Sequence, residues 1–198
     1  VPTAATEQHN EHLEMTHDTL HCSLVAQLAA QRLLPQVVVA PTVAVGVSGH
    51  WMEHIGTLTS RPEVFCEYVF DICHSLQRAG IENILILNGH GGNVAPARCA
   101  FQEIYHEESL APSNRPKIRC RLRSWWEHPN TDKMRHQQYG EWEGFHCTPR
   151  EVAMTQYAYP KSIKSVEIGA PTKVSMTYIR DHPSDDHYEA EHHRRIFP

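Results

Sequence analysis

Short β-branched segments alternate with longer helical segments along the first part of the chain, and this alternation is the strongest constraint on the fold. The periodicity predicts helices over 18–34, 62–79 and 94–105, strands over 36–40, 84–87 and 117–126, and a short helix over 149–157. The first two strands are predicted to be buried on both faces, and 127–145 is predicted to be irregular. Alternating elements of these lengths favour a three-layer α/β/α fold with a central, mainly parallel sheet.

Length and composition agree with one ordinary globular domain. The chain has 198 residues, of which 40% are hydrophobic and 21% charged, so we treat 1–198 as a single domain. Its net charge of −5 is opposite to that of a nucleic-acid-binding surface. The apolar runs are too short to cross a bilayer, and the N-terminus does not resemble a signal peptide. We therefore expect neither nucleic acid nor a membrane as a partner.

Six cysteines are present without a CxxC motif, and this spacing favours reduced thiols over a disulfide framework. A cytoplasmic location follows as an expectation. The unusual feature of the composition is histidine, with 16 residues spread along the chain. Histidine is the commonest metal ligand and titrates near neutral pH, so the excess suggests a metal or proton-transfer site. In parallel sheets such sites lie beyond the carboxyl ends of the strands, here segments 5–18, 46–57, 88–93 and 125–151.

The N-terminal segment is rich in metal-ligand side chains. Glu7 and His9 are two residues apart, so both side chains point to the same side of an extended segment. Asp18 begins the following helix and could bridge two cations while also capping that helix. Imidazole and carboxylate groups in this combination suit a divalent metal site. The alternative interpretation is a solvated polar loop with one capping aspartate.

A glycine-rich turn, Asn88-Gly-His-Gly-Gly-Asn93, connects the predicted strand 84–87 to the next helix. It could bind an anion at the helix N-terminus, but it has neither a Walker lysine nor the spacing of a dinucleotide-binding motif. We interpret His90 as a metal ligand at the end of the strand. The alternative is a structural turn in which the histidine is incidental.

A third segment, Gly144-Phe-His-Cys-Thr-Pro-Arg-Glu151, places His146 five residues before Glu151. Glu151 lies in the first turn of a helix, where the helix dipole stabilises a negative charge. His146 precedes that helix and is free to exchange protons. Considered alone, the segment is more typical of a capped helix start.

Together, these motifs and their order resemble the creatininase (creatinine amidohydrolase) family along nearly the whole chain. The resemblance depends on Thr6-Glu-Gln-His9 with Asp18-Thr19, on the glycine-rich turn, and on the spacing of His146 and Glu151. Gly46-Val-Ser48 followed by Gly56-Thr57-Leu58 resembles the substrate-side loop of the family. The resemblance calls for longer ends than this chain has, so we expect it to be incomplete at both ends.

The resemblance implies a binuclear metallohydrolase that cleaves a C–N bond of a small cyclic amide, formamide or related compound. Glu7, Asp18 and His90 would bind one divalent ion, and His9 with the bridging Asp18 would begin the second site. A metal-bound hydroxide would attack the carbonyl carbon, with His146 as the proton shuttle. Zinc, manganese and iron all suit such ligands. The family resemblance also implies a homo-oligomer, often a hexamer, and a small-molecule substrate.

The chain departs from creatininase at several positions. Gly92 stands where creatininase has a glutamate ligand of the second metal, and we take Glu151 as the substitute ligand with a catalytic role. Phe145 replaces an acidic neighbour of the shuttle histidine, and His50-Trp51 replaces a Glu-His pair, so creatinine itself is not the expected substrate. Two alternatives stay open: a mononuclear enzyme, or a metal-binding or small-ligand-binding protein without turnover.

Four residues are predicted to contact the substrate, and two histidines to orient metal ligands. The substrate-contacting residues are Ser48, Gly91, Gly92 and Trp126, with Trp125 and Trp142 as further candidates for the pocket wall. Core packing is the alternative for the three tryptophans. His12 and His17 are candidates for orienting Glu7 or Asp18, with surface exposure as the alternative. The remaining histidines, including His182, His187, His192 and His193, have no predicted role.

Overall fold

The computed structural model describes residues 1–111, 114, 116–140, 143–167 and 181. Within them, three strands and five α-helices follow one another in the order β1, α1, α2, β2, α3, β3, α4, α5. Their bounds are β1 Pro2–Thr3, α1 His17–Leu33, α2 Pro62–Arg78, β2 Asn83–Asn88, α3 Val94–Leu110, β3 Arg119–Ser124, α4 Pro129–Tyr139 and α5 Pro149–Ala158. The predicted order of strands and helices is therefore confirmed for most of the described chain. Trp142 and the four histidines at 182, 187, 192 and 193 lie outside the described residues.

The strands form a parallel sheet in the order β1-β2-β3. Next to β1, Thr3 forms a parallel bridge with Val43, and the Ala4 amide donates to the Val43 carbonyl at 2.8 Å. Because the strands are parallel, their carboxyl ends all meet at one edge of the sheet. The segments that follow Thr3, Val43, Asn88 and Ser124 therefore begin at the same rim.

Helices cover both faces of the sheet. Ile84 and Ile86 of β2 are buried together with Phe65 and Val69 of α2 and Ile104 of α3, which forms the main hydrophobic core. The opposite face receives α1, which contacts both β1 and β2. The mostly parallel sheet with flanking helices is the α/β architecture that the sequence predicts.

The predicted strand over 36–40 is wrong. Residues 36–39 are exposed and form no strand, and Val38 alone has 75% of its surface accessible. Sheet pairing occurs instead at Val43, where the Val43 amide donates to the Pro2 carbonyl at 3.0 Å. A β-branched run favours a strand only where a neighbouring strand can pair with it, and that neighbour lies beside Val43.

Two further predictions need correction. The segment 127–145, predicted to be irregular, contains helix α4, which buries no side chain and so shows no hydrophobic periodicity in the sequence. Its first turn is recognisable only locally, from Pro129 at the start and from His128, whose ring accepts a hydrogen bond from the Asn130 amide. Strand β2 is not buried on both faces, because its side chains alternate and Leu85 is 47% exposed.

All six cysteines lie within the described residues and are free thiols. Cys22 and Cys73 are buried, whereas Cys99 is exposed, so only part of the set behaves as the predicted buried thiols. Among the described helices, none is long and apolar enough to cross a membrane.

The alternation along β2 supplies a matched pair of substitutions. We expect Ile86→Ala to lower the free energy of unfolding by about 2–5 kcal/mol, because Ile86 is fully buried and its loss leaves a cavity. Leu85→Ala, one residue away on the other face, should change it by no more than about 0.5 kcal/mol. Urea denaturation of both variants measures the difference, and equal effects would contradict the assigned faces of β2.

Candidate metal centre

The site lies at the carboxyl edge of the sheet, where the sequence places it. Glu7 and His9 follow β1, His90 follows β2, and Asp18 lies in the first turn of α1. All four side chains are at least 95% buried. The structure thus brings together four predicted ligands that lie up to 83 residues apart in the chain.

The Asp18 carboxylate lies between two imidazoles. Its Oδ1 is 3.0 Å from His9 Nε2, and its Oδ2 is 3.3 Å from His90 Nδ1. Each oxygen therefore faces a different histidine, which is the arrangement expected of a carboxylate that bridges two cations. Asp18 makes no capping hydrogen bond, because Thr16 occupies the N-cap position, so the predicted capping role is wrong.

Hydrogen bonds to backbone carbonyls fix the ring orientations of both histidines. His90 Nε2 lies 2.8 Å from the Val47 carbonyl oxygen, and His9 Nδ1 lies 3.2 Å from that of Glu7. A carbonyl oxygen can only accept, so these two nitrogens carry the protons. The other nitrogen of each ring then presents its lone pair to Asp18, which is repulsive unless a proton or a metal ion lies between them.

Glu7 completes the group around His90. Its Oε1 is 3.2 Å from His90 Nδ1 and 3.6 Å from His146 Nδ1. Its Oε2 is buried and has no hydrogen-bond partner among the described residues. A buried carboxylate oxygen without a donor is costly, and a cation at this position would remove that cost.

The electrostatics of Glu7, His9 and His90 favour the charged forms of these side chains. Burial acts to raise the pKa of Glu7, but His90 outweighs it and lowers that pKa to about 2. Burial acts to lower the pKa of His9, but Asp18, followed by Glu151 and Glu7, raises it to about 9. The pKa of His90 is also raised, because Glu7 and Asp18 outweigh its burial. Without an ion, the protons on His9 and His90 therefore lie between these imidazoles and the carboxylates, where metal ions would bind.

His146 behaves differently from the other two histidines. Its Nε2 donates to the Gln8 carbonyl at 2.6 Å, which leaves the lone pair on Nδ1. Burial, followed by the charge of His9, lowers the pKa of His146 to about 3, so the ring is neutral at pH 7. The ring of Trp51 lies 4.3 Å from it between centroids. A neutral imidazole with an accessible lone pair can accept a proton.

Glu151 approaches the centre from the start of α5. Thr148 and Glu151 form a capping box in which Glu151 Oε2 accepts from the Thr148 amide at 2.7 Å and from its hydroxyl at 3.1 Å. The carboxyl group is buried, and burial raises its pKa. Glu151 therefore lies in the first turn of the predicted helix, and the same residue brings its carboxyl group next to the predicted ligand His9.

The donor set fits divalent metal ions. Ligands about 2.1 Å from one ion lie about 3.4 Å apart in a tetrahedron, close to the imidazole–carboxylate separations around Asp18 and Glu7. Each histidine also donates its second nitrogen to a backbone carbonyl, as metal-bound histidines usually do. Three groups in the described residues bring ligand atoms within 4.8 Å of one another: Glu7, His9 and His146; Glu7, His50 and His90; and His9, His17 and Glu151.

The glycine-rich turn fixes His90 through the asparagines at its two ends. Asn88 donates to the His90 carbonyl at 2.7 Å, and Asn93 donates to the Ala4 carbonyl at 3.0 Å while accepting from the Val47 amide at 3.0 Å. A Cβ on Gly92 would lie 2.0 Å from the Val47 carbonyl oxygen. Gly92 has no positive φ, so the constraint on this glycine is close packing and not an unusual backbone conformation.

The predicted substrate contacts are placed as follows. Ser48 and Gly92 are buried, and Ser48 Oγ lies 3.4 Å from His90 Nε2. Gly91 is half-buried at the start of the same turn as Gly92. Trp126 contacts Trp125 at 5.7 Å between ring centroids, whereas the tryptophan in contact with His146 is Trp51.

Sequence reasoning named His17 as a candidate for orienting a ligand, but it missed its neighbour His21 and the position of His50. His17 and His21 are each 1% exposed and contact each other, with ring centroids 4.0 Å apart. His50 stacks on His90 at 5.6 Å. The sequence contained a signal for the pair His17 and His21, because the two positions lie one helical turn apart on the side of α1 that also places Asp18 in the site. His12 is also buried, at 8% exposure, so the alternative of surface exposure is wrong for both His12 and His17.

Comparison with known proteins identifies the family. The sequence model of the creatininase family, described as creatinine amidohydrolase, matches residues 1–195. The chain belongs to the creatininase family.

The relatives and the solved structures differ in how much of this chain they match. A mycofactocin precursor peptide peptidase from Mycobacterium ulcerans (strain Agy99) is 29% identical over 114 residues, which is 54% of this chain and 45% of the relative. The chain thus spans about half the length of the relatives it matches. A creatininase with one substituted tryptophan superposes with a TM-score of 0.76 at 23% identity, covering 87% of this chain and 69% of the other. A mutant creatininase of the Zn–Zn type gives 0.70 at 22% identity, covering 88% and 72%.

Proton release on metal binding follows from the raised pKa of His9. At pH 7 the metal-free protein carries a proton on His9, because the pKa is about 9, and a metal ion must displace it. Affinity for Zn²⁺ should therefore rise with pH, by about tenfold per unit for each proton released, until the pH exceeds that pKa. Calorimetry in buffers of different ionisation enthalpy measures the proton count. His106→Gln, on the exposed side of α3, should leave it unchanged, and binding without proton release would contradict the assignment.

Proposed function

We propose that this chain is a metal-dependent hydrolase that cleaves the C–N bond of an amide, and that two divalent ions, zinc, manganese or iron, act in it. The observation that carries the proposal is the Asp18 carboxylate, with one oxygen facing His9 and the other facing His90. Glu7, Asp18 and His90 would bind one ion, and His9, Asp18 and Glu151 the other. Divalent ions in these positions would lower the pKa of a bound water and stabilise the developing oxyanion.

The chain's own residues have separate roles in this proposal. Backbone carbonyls orient the histidines, so little reorganisation is needed when ions bind. His146 offers a lone pair at Nδ1, beside the Glu7 carboxylate, and would accept a proton there and pass it to the leaving nitrogen. Trp51 packs against His146 and keeps water away from one face of its ring.

A small cyclic amide or formamide is the substrate class that we propose first, on the basis of the family. A peptide is the second candidate, because the relatives of about 30% identity are named mycofactocin precursor peptide peptidases. Exposed apolar side chains in the segments that carry Trp51 and His146 also favour a larger substrate, since Met52, Ile55 and Phe145 are 51%, 100% and 54% exposed. The proposal includes a homo-oligomer, as the family resemblance implies, and a cytoplasmic location, as the cysteine pattern suggests.

Metal content and a substrate panel test the proposal together. Elemental analysis of the purified protein should find close to two metal equivalents per chain, and one equivalent would favour the mononuclear alternative. The panel contains small cyclic amides, formamides and short peptides, each assayed with Mn²⁺, Zn²⁺ and Fe²⁺ supplied separately. Turnover confined to peptides would replace the first substrate class by the second. No turnover of any class would favour a binding protein.

His146→Ala separates proton transfer from metal binding. We expect turnover to fall by about 10²- to 10⁴-fold, because general acid–base catalysis contributes about that much. Metal content should stay near two equivalents, since His146 is not among the proposed ligands. If the variant loses a metal equivalent as well, His146 is a ligand and the assigned role is wrong. His136→Ala, an exposed histidine of α4, is the control for both measurements.

A further inference from the structure

The second metal site has a steric problem at Gly92. Beyond its 2.0 Å approach to the Val47 carbonyl oxygen, a Cβ at this position would also lie 2.7 Å from His90 Nε2. Real side chains do not tolerate such contacts with backbone, so this turn cannot present a carboxylate from position 92. His9, Asp18 and Glu151 then supply three donors, and any fourth protein donor must come from another element.

His17 is a buried donor beside His9 and Glu151. Its ring is 1% exposed and stacks on His9, with centroids 4.5 Å apart. Its Nε2 is buried and has no hydrogen-bond partner among the described residues. Ligand atoms of His9, His17 and Glu151 all lie within 4.8 Å of one another. An unpartnered polar atom among donors of this kind is what a missing cation would leave.

The hydroxyl group of Thr155 determines which nitrogen of His17 carries the proton. Thr155 Oγ1 donates its single hydrogen to the Glu151 carbonyl at 3.1 Å. It can therefore only accept from His17 Nδ1 at 3.3 Å and from His21 Nε2 at 3.0 Å. His17 is thus protonated on Nδ1, and its lone pair is on the unpartnered Nε2. A ring oriented by one nitrogen with the other left free is the usual state of a metal-binding histidine.

We propose that His17 binds the second divalent ion through Nε2, together with His9, Asp18 and Glu151. The inference rests on the proposed function, because it requires a centre with two ions. Two imidazoles and two carboxylates give four donors, the number that a tetrahedral ion takes. The first ion would be bound by Glu7, Asp18 and His90, and three protein ligands would leave a position for water or substrate.

Metal titration tests the assignment without an activity assay. Zn²⁺ is added to metal-free protein in competition with a chromophoric chelator, for the unsubstituted protein, His17→Asn and His21→Asn. Asparagine keeps a donor near the Nδ1 position, so the contact with Thr155 can persist while Nε2 is removed. We expect His17→Asn to weaken the second equivalent at least about 100-fold, since loss of an orienting residue alone costs about 10- to 100-fold. The first equivalent should stay within about threefold.

The titration distinguishes a failure of the His17 assignment from a failure of the proposed function. His21→Asn alters the same Thr155 hydrogen bond one helical turn away, and should change the second affinity less than about tenfold. Two equivalents of unchanged affinity in His17→Asn would overturn the inference and leave the binuclear function intact. Fewer than two equivalents in the unsubstituted protein would instead contradict the proposed function itself.

A spectroscopic count keeps the test independent of how well a variant folds. In the Co²⁺-loaded unsubstituted protein, each histidine ligand contributes one exchangeable, paramagnetically shifted ring N–H. We expect three such resonances, from His9 Nδ1, His17 Nδ1 and His90 Nε2, and two would overturn the inference. His17→Asn or His17→Gln should each remove one resonance, which assigns it. Retention of all three in a folded variant would identify another histidine, such as His146, as the third ligand.

Discussion

Three carboxylates buried at one end of a parallel sheet are the constraint on which the rest of this structure depends. Glu7, Asp18 and Glu151 are each at least 93% buried, and such groups are tolerated only where positive charge or several donors face them. In the metal-free protein the positive charge comes from protonated His9 and His90. The same geometry becomes a binuclear centre when cations replace those protons.

Backbone carbonyl groups orient the histidine side chains of this centre. The carbonyls of Glu7, Gln8 and Val47 each accept from one imidazole and so determine which nitrogen of the ring is left for a cation. These carbonyls belong to segments that leave adjacent positions at the sheet edge. Close packing of the glycine-rich turn onto Val47 then places His90 beside Asp18. The cost is that this turn has no room for a ligand at Gly92.

The sequence predicted a large part of this arrangement. Helices α1, α2, α3 and α5 have strong end signals, such as Pro62 at the first position of α2 and Gly80 after it, where φ is +84°. Ligand types at characteristic spacing, at the ends of predicted strands, pointed to Glu7, His9, Asp18 and His90. The segment 36–40 misled because β-propensity does not include the availability of a partner strand. Helix α4 was missed because it is polar on every side.

What the sequence determined by itself was the chemistry: which residues can bind a metal, which family pattern they follow, and at which edge of the sheet they meet. Only the tertiary structure decided how they are used. The direction of each Asp18 oxygen, the steric closure at Gly92 and the contact of Trp51 with His146 depend on packing between segments distant in the chain. The same holds for His17, whose free nitrogen is set by Thr155, 138 residues later. The spacing of residues along the chain determines which side chains meet at the carboxyl ends of the strands. Their hydrogen-bond partners, most of which come from other segments, determine the tautomer and the orientation of each ligand.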